Sequence, residues 1–223
     1  MPRRFPFPLP AAAALAVVLA AHLAAHLRGD SDWIPPTKAL LMPLLGLCLF
    51  LATRRPRTRE ARLAFVALFF SWLGDTAPLF ASGSTAFMLL VGFFLVAQII
   101  YTITFLPHRS RSILVRQPLW MLAYAAIGVL LVSACASGAG SLLPLIIVYA
   151  VAILSMAILA TGMGWAGTLG GFIFIISDSL IALGEFTDSP IAAHGFWVML
   201  TYVVAQVLLI MGVLAAGEPA RED

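Results

Sequence analysis

The chain has 223 residues, of which 62% are hydrophobic and only 10% charged, with a mean hydropathy of +1.03. Soluble domains carry about 25% charged residues, so this chain has too little charge to clothe a water-facing surface. Disorder needs the opposite composition, and an ordinary water-soluble enzyme is excluded with it. The net charge of +3 comes from thirteen basic residues, twelve arginines and the single Lys38, against ten acidic ones. The basic residues are too few and too scattered for a nucleic-acid surface, and no such partner is expected. Cys48 and Cys135 fall inside apolar stretches and form neither a metal-type pair nor a disulfide framework.

The apolar stretches run for about 15–24 residues rather than alternating over about ten, so the expected class is an all-α membrane protein. Eight spans are predicted in chain order: 9–27, 37–52, 61–80, 85–106, 117–136, 141–160, 165–184 and 192–215. The first has a basic start and an Ala/Leu core like a signal peptide. Its apolar run of about 19 residues exceeds the usual h-region of about 7–15, so a retained helix is expected. The second is short and contains Pro43, and an earlier start near Trp33 would lengthen it. Short connections make successive spans neighbours and residues 1–223 one polytopic domain.

Charge placement sets the orientation. With eight spans, one side collects Arg3, Arg4, Arg54, Arg55, Arg57, Arg59, Arg62, Arg109, Arg111, Arg116 and Arg221. The other collects Arg28 and Lys38. This asymmetry puts both termini in the cytoplasm, as for a multi-pass protein of a bacterial-type inner membrane.

Against that background two acids stand inside spans, Asp75 and Asp178. Each costs about 2.5–3.5 kcal/mol at a helix centre on an insertion scale, so an intramembrane acid is a candidate functional group. Each also follows an aromatic-aliphatic run and a small residue, and precedes a hydroxyl residue (Gly74-Asp75-Thr76 and Ser177-Asp178-Ser179). Asp75 lies 13 residues beyond Arg62, and Asp178 lies 13 beyond Trp165. At about 1.5 Å per residue both sit roughly 20 Å from the cytoplasmic side, in the outer half of the bilayer. Two isolated acids at one depth are expected to form one site.

Other polar residues fall on matching faces. Ser71 is four residues before Asp75, Gln98 shares a face with Tyr101 and Thr102, and Tyr202 shares one with Gln206. Together they predict a polar-lined cavity. Gly167-x-x-x-Gly171 would let a neighbouring helix approach closely. Lys38, at the outer end of the second span, is expected either to snorkel to the interface or to meet a lipid phosphate. His22 and His26 are spaced to chelate a metal, although two histidines wetted at the interface is the simpler reading. His194 falls in an outer loop, and no cofactor is expected.

These residues resemble the YhhN family, the integral-membrane lysoplasmalogenases. The resemblance rests on Thr37-Lys38, Ser71-Trp-Leu-Gly-Asp75, Gln98-x-x-Tyr101, Tyr149 with Met156, Phe174-x-x-Ser177-Asp178-Ser179, and Tyr202-x-x-x-Gln206. Where the family pattern often carries histidine this chain has Gln98, which argues against a proton relay there. The resemblance implies hydrolysis of a lysoplasmalogen vinyl ether to a fatty aldehyde and a glycerophospho-alcohol. Its substrate is then a lysophospholipid met within membrane lipid. Asp75 and Asp178 would be catalytic, with Lys38, Ser71, Gln98, Tyr101, Tyr149, Ser177, Tyr202 and Gln206 in support.

The chemistry fits two carboxyls. Protonating the double bond of a vinyl ether gives an oxocarbenium ion that water attacks, and glycosidases serve a similar ion with paired carboxyl groups. One member of such a pair can stay protonated while the other is ionised, and residues alone do not say which. Trp33, Trp72 and Trp197 are available to a choline-like cation.

Other classes compete. An intramembrane aspartyl protease also uses two membrane aspartates, but the chain lacks a Gly-x-Gly-Asp pattern and a Tyr-Asp partner. A metal-dependent lipid hydrolase would use His22 and His26. A small-molecule or proton-coupled transporter would suit a weak 4+4 repeat that places the aspartates in spans three and seven.

Overall fold

The computed structural model describes residues 6–53, 57–188 and 191–217. Arg3, Arg4, Arg54, Arg55 and Arg221, used above for orientation, lie outside the described residues. The described chain is helical, with no strand. Its helices are α1 (Leu9–Arg28), α2 (Ile34–Ala52), α3 (Arg59–Thr76), α4 (Gly83–Phe105), the single turn α5 (Ile113–Arg116), α6 (Trp120–Ala139), α7 (Leu143–Ala160), α8 (Gly164–Phe186) and α9 (His194–Ala216).

Six helical stretches among the described residues are long and apolar enough to cross a membrane. The longest, Trp120–Phe186, is turned twice by 3₁₀ segments and so contains α6, α7 and α8. The eight long helices fall where hydropathy put the eight predicted spans. The second begins at Ile34, as its alternative start requires, and keeps Pro43 inside the helix. The fifth starts three residues later than expected, at Trp120, because the chain first makes turns around Pro118.

Local chemistry explains the ends. Thr58 caps α3 by accepting from the Ala61 amide at 3.2 Å, which satisfies one of the free N–H groups of the first turn. Gly29 ends α1 in the left-handed region at φ 68°, where its amide closes on Ala25 and His26 carbonyls. Pro35 and Pro36 open α2 in its first turn, where a missing N–H costs nothing.

The helices alternate in direction, and contacts at the two ends show how they close. At one end Thr58 lies against Gly217, and the 3₁₀ turns Leu106–Arg111 and Thr161–Met163 meet. The described Arg57, Arg59, Arg62, Arg109, Arg111 and Arg116 belong to this end, and Glu60 pairs there with His108 at 3.8 Å. At the opposite end Phe87 meets Phe186, and His194 lies beneath Gly184. Arg28 and Lys38 are on this side.

Seven helices form a closed ring in the order α1, α2, α3, α4, α7, α8, α9, with α9 leaning inward onto α2 and α3 as well. Helix α6 stands outside the ring, in the groove between α7 and α8. Small residues set the closest approaches. A Cβ on Gly171 would press on the Ala157 backbone of α7, and one on Gly170 would press on Ala205 and Leu209 of α9. Gly167 faces Ala160 and Met163 on one side and Gly212 on the other. The small-residue stripe of α8 therefore serves two neighbours, not the single one its spacing suggested.

Candidate active site

Helix α3 places Ser71 and Asp75 one turn apart on a buried face, and antiparallel α9 places Tyr202 and Gln206 one turn apart opposite them. The four form a two-rung ladder. The Tyr202 hydroxyl donates to Asp75 Oδ2 at 2.9 Å, and Gln206 Nε2 donates to Ser71 Oγ at 3.0 Å. Tyr101 on α4 adds a third member, donating to Gln206 Oε1 at 2.7 Å. Side-chain hydrogen bonds between membrane helices are worth on average about 0.6 kcal/mol each, so three of them orient the site more than they stabilise the bundle.

The other partner of Asp75 was not expected. Lys38 Nζ lies 3.6 Å from Asp75 Oδ1, with Lys38 19% exposed and Asp75 only 2%. The single lysine of the chain thus turns inward to a buried carboxylate instead of snorkelling. Its position is fixed from behind: Thr37 donates to the Trp33 and Ile34 carbonyls and meets His22 Nδ1 at 2.8 Å, and Trp72 Nε1 donates to the Ala39 carbonyl at 3.0 Å.

Asp178 is held differently. The Tyr149 hydroxyl of α7 donates to Asp178 Oδ2, and Asp178 has no cation partner among the described residues. Asp178 is partly exposed where Asp75 is sealed. Two narrow cavities of about 40 Å³ each reach it from either side of α7, and both are lined by Tyr149 and Asp178. One lies between α4, α7 and α8, the other between α6, α7 and α8. Asp75 lines neither.

No hydrogen bond joins the two carboxyls, although each lies within the other's electrostatic reach. An aromatic cluster stands between their supports. The ring of Tyr202 packs edge-on against Phe94 at 5.4 Å and Phe174 at 5.7 Å, and Phe174 is one turn before Asp178. Gly74 belongs to this cluster, since a Cβ there would strike the Phe94 ring. The Gly-Asp dipeptide thereby joins a close ring contact to the carboxyl beside it.

The remaining candidates separate. Gln98 is fully buried with its amide beside the Tyr149 hydroxyl, and neither its Oε1 nor its Nε2 meets a partner at normal hydrogen-bond distance and angle among the described residues. Thr102, on its face, bonds only back to the Gln98 carbonyl. Ser177 points away from Asp178 and donates to the Val198 carbonyl of α9 at 3.1 Å, as a tie between helices. Trp33 and Trp197 are exposed, and Trp72 has its indole N–H already bound.

His22 is fully buried rather than wetted, and His26 stacks edge-on to it at 4.8 Å and packs against Gly195. No group of three metal-ligating side chains occurs among the described residues. His194 opens α9 and contacts the Leu180 carbonyl at 2.8 Å. The tyrosine partners of the aspartates come from α9 and α7, positions that are not equivalent in two four-span halves, so the side-chain pairing does not follow a 4+4 repeat.

Sequence reasoning missed the Phe94–Phe174–Tyr202 cluster and the aliphatic cavity walls, for which only the glycine beside Asp75 gave a local signal. Fold and site together define an all-helical, membrane-type bundle carrying two tyrosine-bound carboxyl groups in its apolar interior. The chain belongs to the YhhN family, whose model matches residues 33–213. The match begins at the turn before α2, so α1 with His22 and His26 lies outside it. No solved structure matches the chain.

Proposed function

We propose that this protein hydrolyses the vinyl-ether bond of lysoplasmalogens inside the membrane, with Asp178 as the proton donor and Asp75 as the standing carboxylate. The observation that carries this reading is the unequal dress of the two acids. Asp75 faces the ammonium of Lys38 and lines neither cavity, whereas Asp178 has only a tyrosine hydroxyl among the described side chains and lines both. A cation beside a carboxyl favours its charged form, and an apolar setting without one favours the neutral form.

In the reaction Asp178 gives its proton to the vinyl carbon remote from the ether oxygen. The carbon bonded to that oxygen becomes an oxocarbenium centre, and the negative charge of Asp75 offsets it. Water adds to this carbon and returns a proton to the Asp178 carboxylate. The hemiacetal then breaks its bond to the glycerol oxygen, giving the aldehyde and the alcohol. One water is consumed and the enzyme ends as it began, in the manner of an acid that becomes a base in the second step.

The eight long helices are read as eight membrane spans with the arginine-bearing end in the cytoplasm. The aspartates then lie toward the outer side of an inner membrane, as the positive-inside rule requires. The direct test is mass spectrometry of purified protein incubated with a lysoplasmalogen, its alkyl-ether analogue and its acyl analogue. Cleavage of the vinyl ether alone is the expected result. Hydrolysis of the acyl analogue alone would overturn the bond assignment, and uptake into proteoliposomes without any product would favour a carrier.

Gln98 offers a separate check. A buried amide without partners costs about 1–3 kcal/mol, so Gln98→Leu is expected to raise thermal stability in detergent. Aldehyde release should fall in the same variant, because the amide lies beside the Tyr149 hydroxyl that holds Asp178. Stability gained with activity intact would assign Gln98 no part in the site.

A further inference from the structure

Helix α6 stands outside the closed ring, and the structure gives it a task. The cavity between α6, α7 and α8 has Tyr149 and Asp178 part-way along it, with Ile146 and Ala182 about one turn beyond them on the Lys38 side and aliphatic walls that include Ile127, Ile153, Leu154 and Ile175 on the other. Its lining positions on α7 run from Ile146 to Leu154, which at about 1.5 Å per residue is roughly 12 Å along the helix. Most of its lining lies on the arginine-bearing side of Asp178, away from Lys38.

The roof over this slot is pinned on both sides. A Cβ on Gly128 of α6 would meet the Leu154 side chain, and one on Gly138 would collide with the Phe186 carbonyl of α8. Leu131 lies between these two close approaches and lines the slot. The cavity on the other side of α7 has a different character. It runs along α8 from Asp178 to Phe186, toward the Lys38 side, and the edge-on pair Phe87–Phe186, 5.1 Å between centroids, stands at its far end.

We infer that the slot under α6 holds the single hydrocarbon chain of the substrate and sets chain-length preference, with its functionalised end presented to Asp178 and Tyr149. This rests on the hydrolase reading for the chemistry at the carboxyl, but not for the binding itself. Three features select the occupant. Apart from Tyr149 and Asp178 the lining is aliphatic, which excludes a headgroup from the part beyond them. A volume of about 40 Å³ spread along roughly 12 Å of helix leaves room for one linear chain and not for two. The hydrogen-bonded carboxyl lies toward the Lys38 side of the slot, where the polar part of an amphiphile would project.

The test uses binding of non-cleavable 1-alkyl lysophosphocholines with octyl, dodecyl and hexadecyl chains to the full-length protein in lipid nanodiscs. Ile127→Trp narrows the slot at the level of Leu154, and Leu154→Ala opens the same distal part. A methylene in an apolar pocket changes discrimination by about tenfold or more, so the hexadecyl-to-octyl affinity ratio should fall by at least about that factor in Ile127→Trp. In Leu154→Ala the ratio should rise.

An equal loss for all three chains, or an unchanged ratio in both variants, overturns the slot. Should Ile127→Trp fail to fold, Leu154→Ala carries the same test with the opposite sign. Aldehyde release from alkenyl lysolipids is measured beside it. No cleavage with the length shifts present overturns the hydrolase reading and supports the slot; cleavage without length dependence does the reverse.

Discussion

Asp178→Asn is expected to abolish vinyl-ether cleavage, with a loss of about 10²–10⁴-fold, the usual contribution of a positioned general acid. Asparagine keeps the shape of the side chain and an oxygen that can accept from Tyr149, so helix packing around α7 and α8 should be retained. What it lacks is an acidic proton. The measurement is aldehyde release by the purified variant, read beside its thermal unfolding and its affinity for a non-cleavable alkyl lysolipid. Loss of rate with stability and binding preserved is the result that supports the assignment. Full activity would remove Asp178 from the chemistry.

Lys38→Met is expected to have its largest effect on stability. Asp75 is 2% exposed and Lys38 is its one cationic partner among the described residues. Removing one member of a buried ion pair leaves an uncompensated charge and costs about 3 kcal/mol or more. Asp75→Asn on the Lys38→Met background should recover most of that loss, because the charge that needed a partner is gone. The check is a double-mutant cycle by thermal or chemical unfolding in a fixed detergent, in which strongly non-additive effects are expected. Additive effects would mean that the two groups do not depend on each other. Neither variant should release aldehyde, since Asp75 would stand without its counter-ion or without its charge.

The two variants separate the roles the geometry gives the acids. One carboxyl is buried beside an ammonium, and the other faces the cavities with the Tyr149 hydroxyl as its side-chain partner among the described residues. A symmetric dyad sharing one proton would respond alike to Asp75→Asn and Asp178→Asn, and Lys38→Met would then spare stability.

Several features were legible because they are local. A run of apolar residues becomes a helix wherever water is absent, since only intrahelical bonds satisfy its backbone. The eight long helices therefore lie where hydropathy placed them, and the described arginines collect at one end. The i, i+4 spacings of Ser71 with Asp75 and of Tyr202 with Gln206 fixed which groups share a face, and the two faces meet.

Which face meets which helix is a different kind of information. Ser177 adjoins Asp178 in the chain, yet one residue is about 100° around a helix, so it turns to α9 while Asp178 turns to Tyr149. Lys38 shows the same limit. Residue type and position said interface, and only the packing of α2 on α3 brought its ammonium to a buried carboxylate, whose charge needs a partner away from water.

By itself, then, the sequence determined that this chain must be a bundle of apolar helices, where those helices run, and that two aspartates stand where acids are costly. Tertiary structure decided that the acids are unlike in their partners, that seven helices close a ring while α6 roofs a slot, and that Asp178 lines that slot. The physical reason is that hydropathy and helical period act within one segment, whereas a side chain's partner depends on the rotation and contact of helices far apart in the chain.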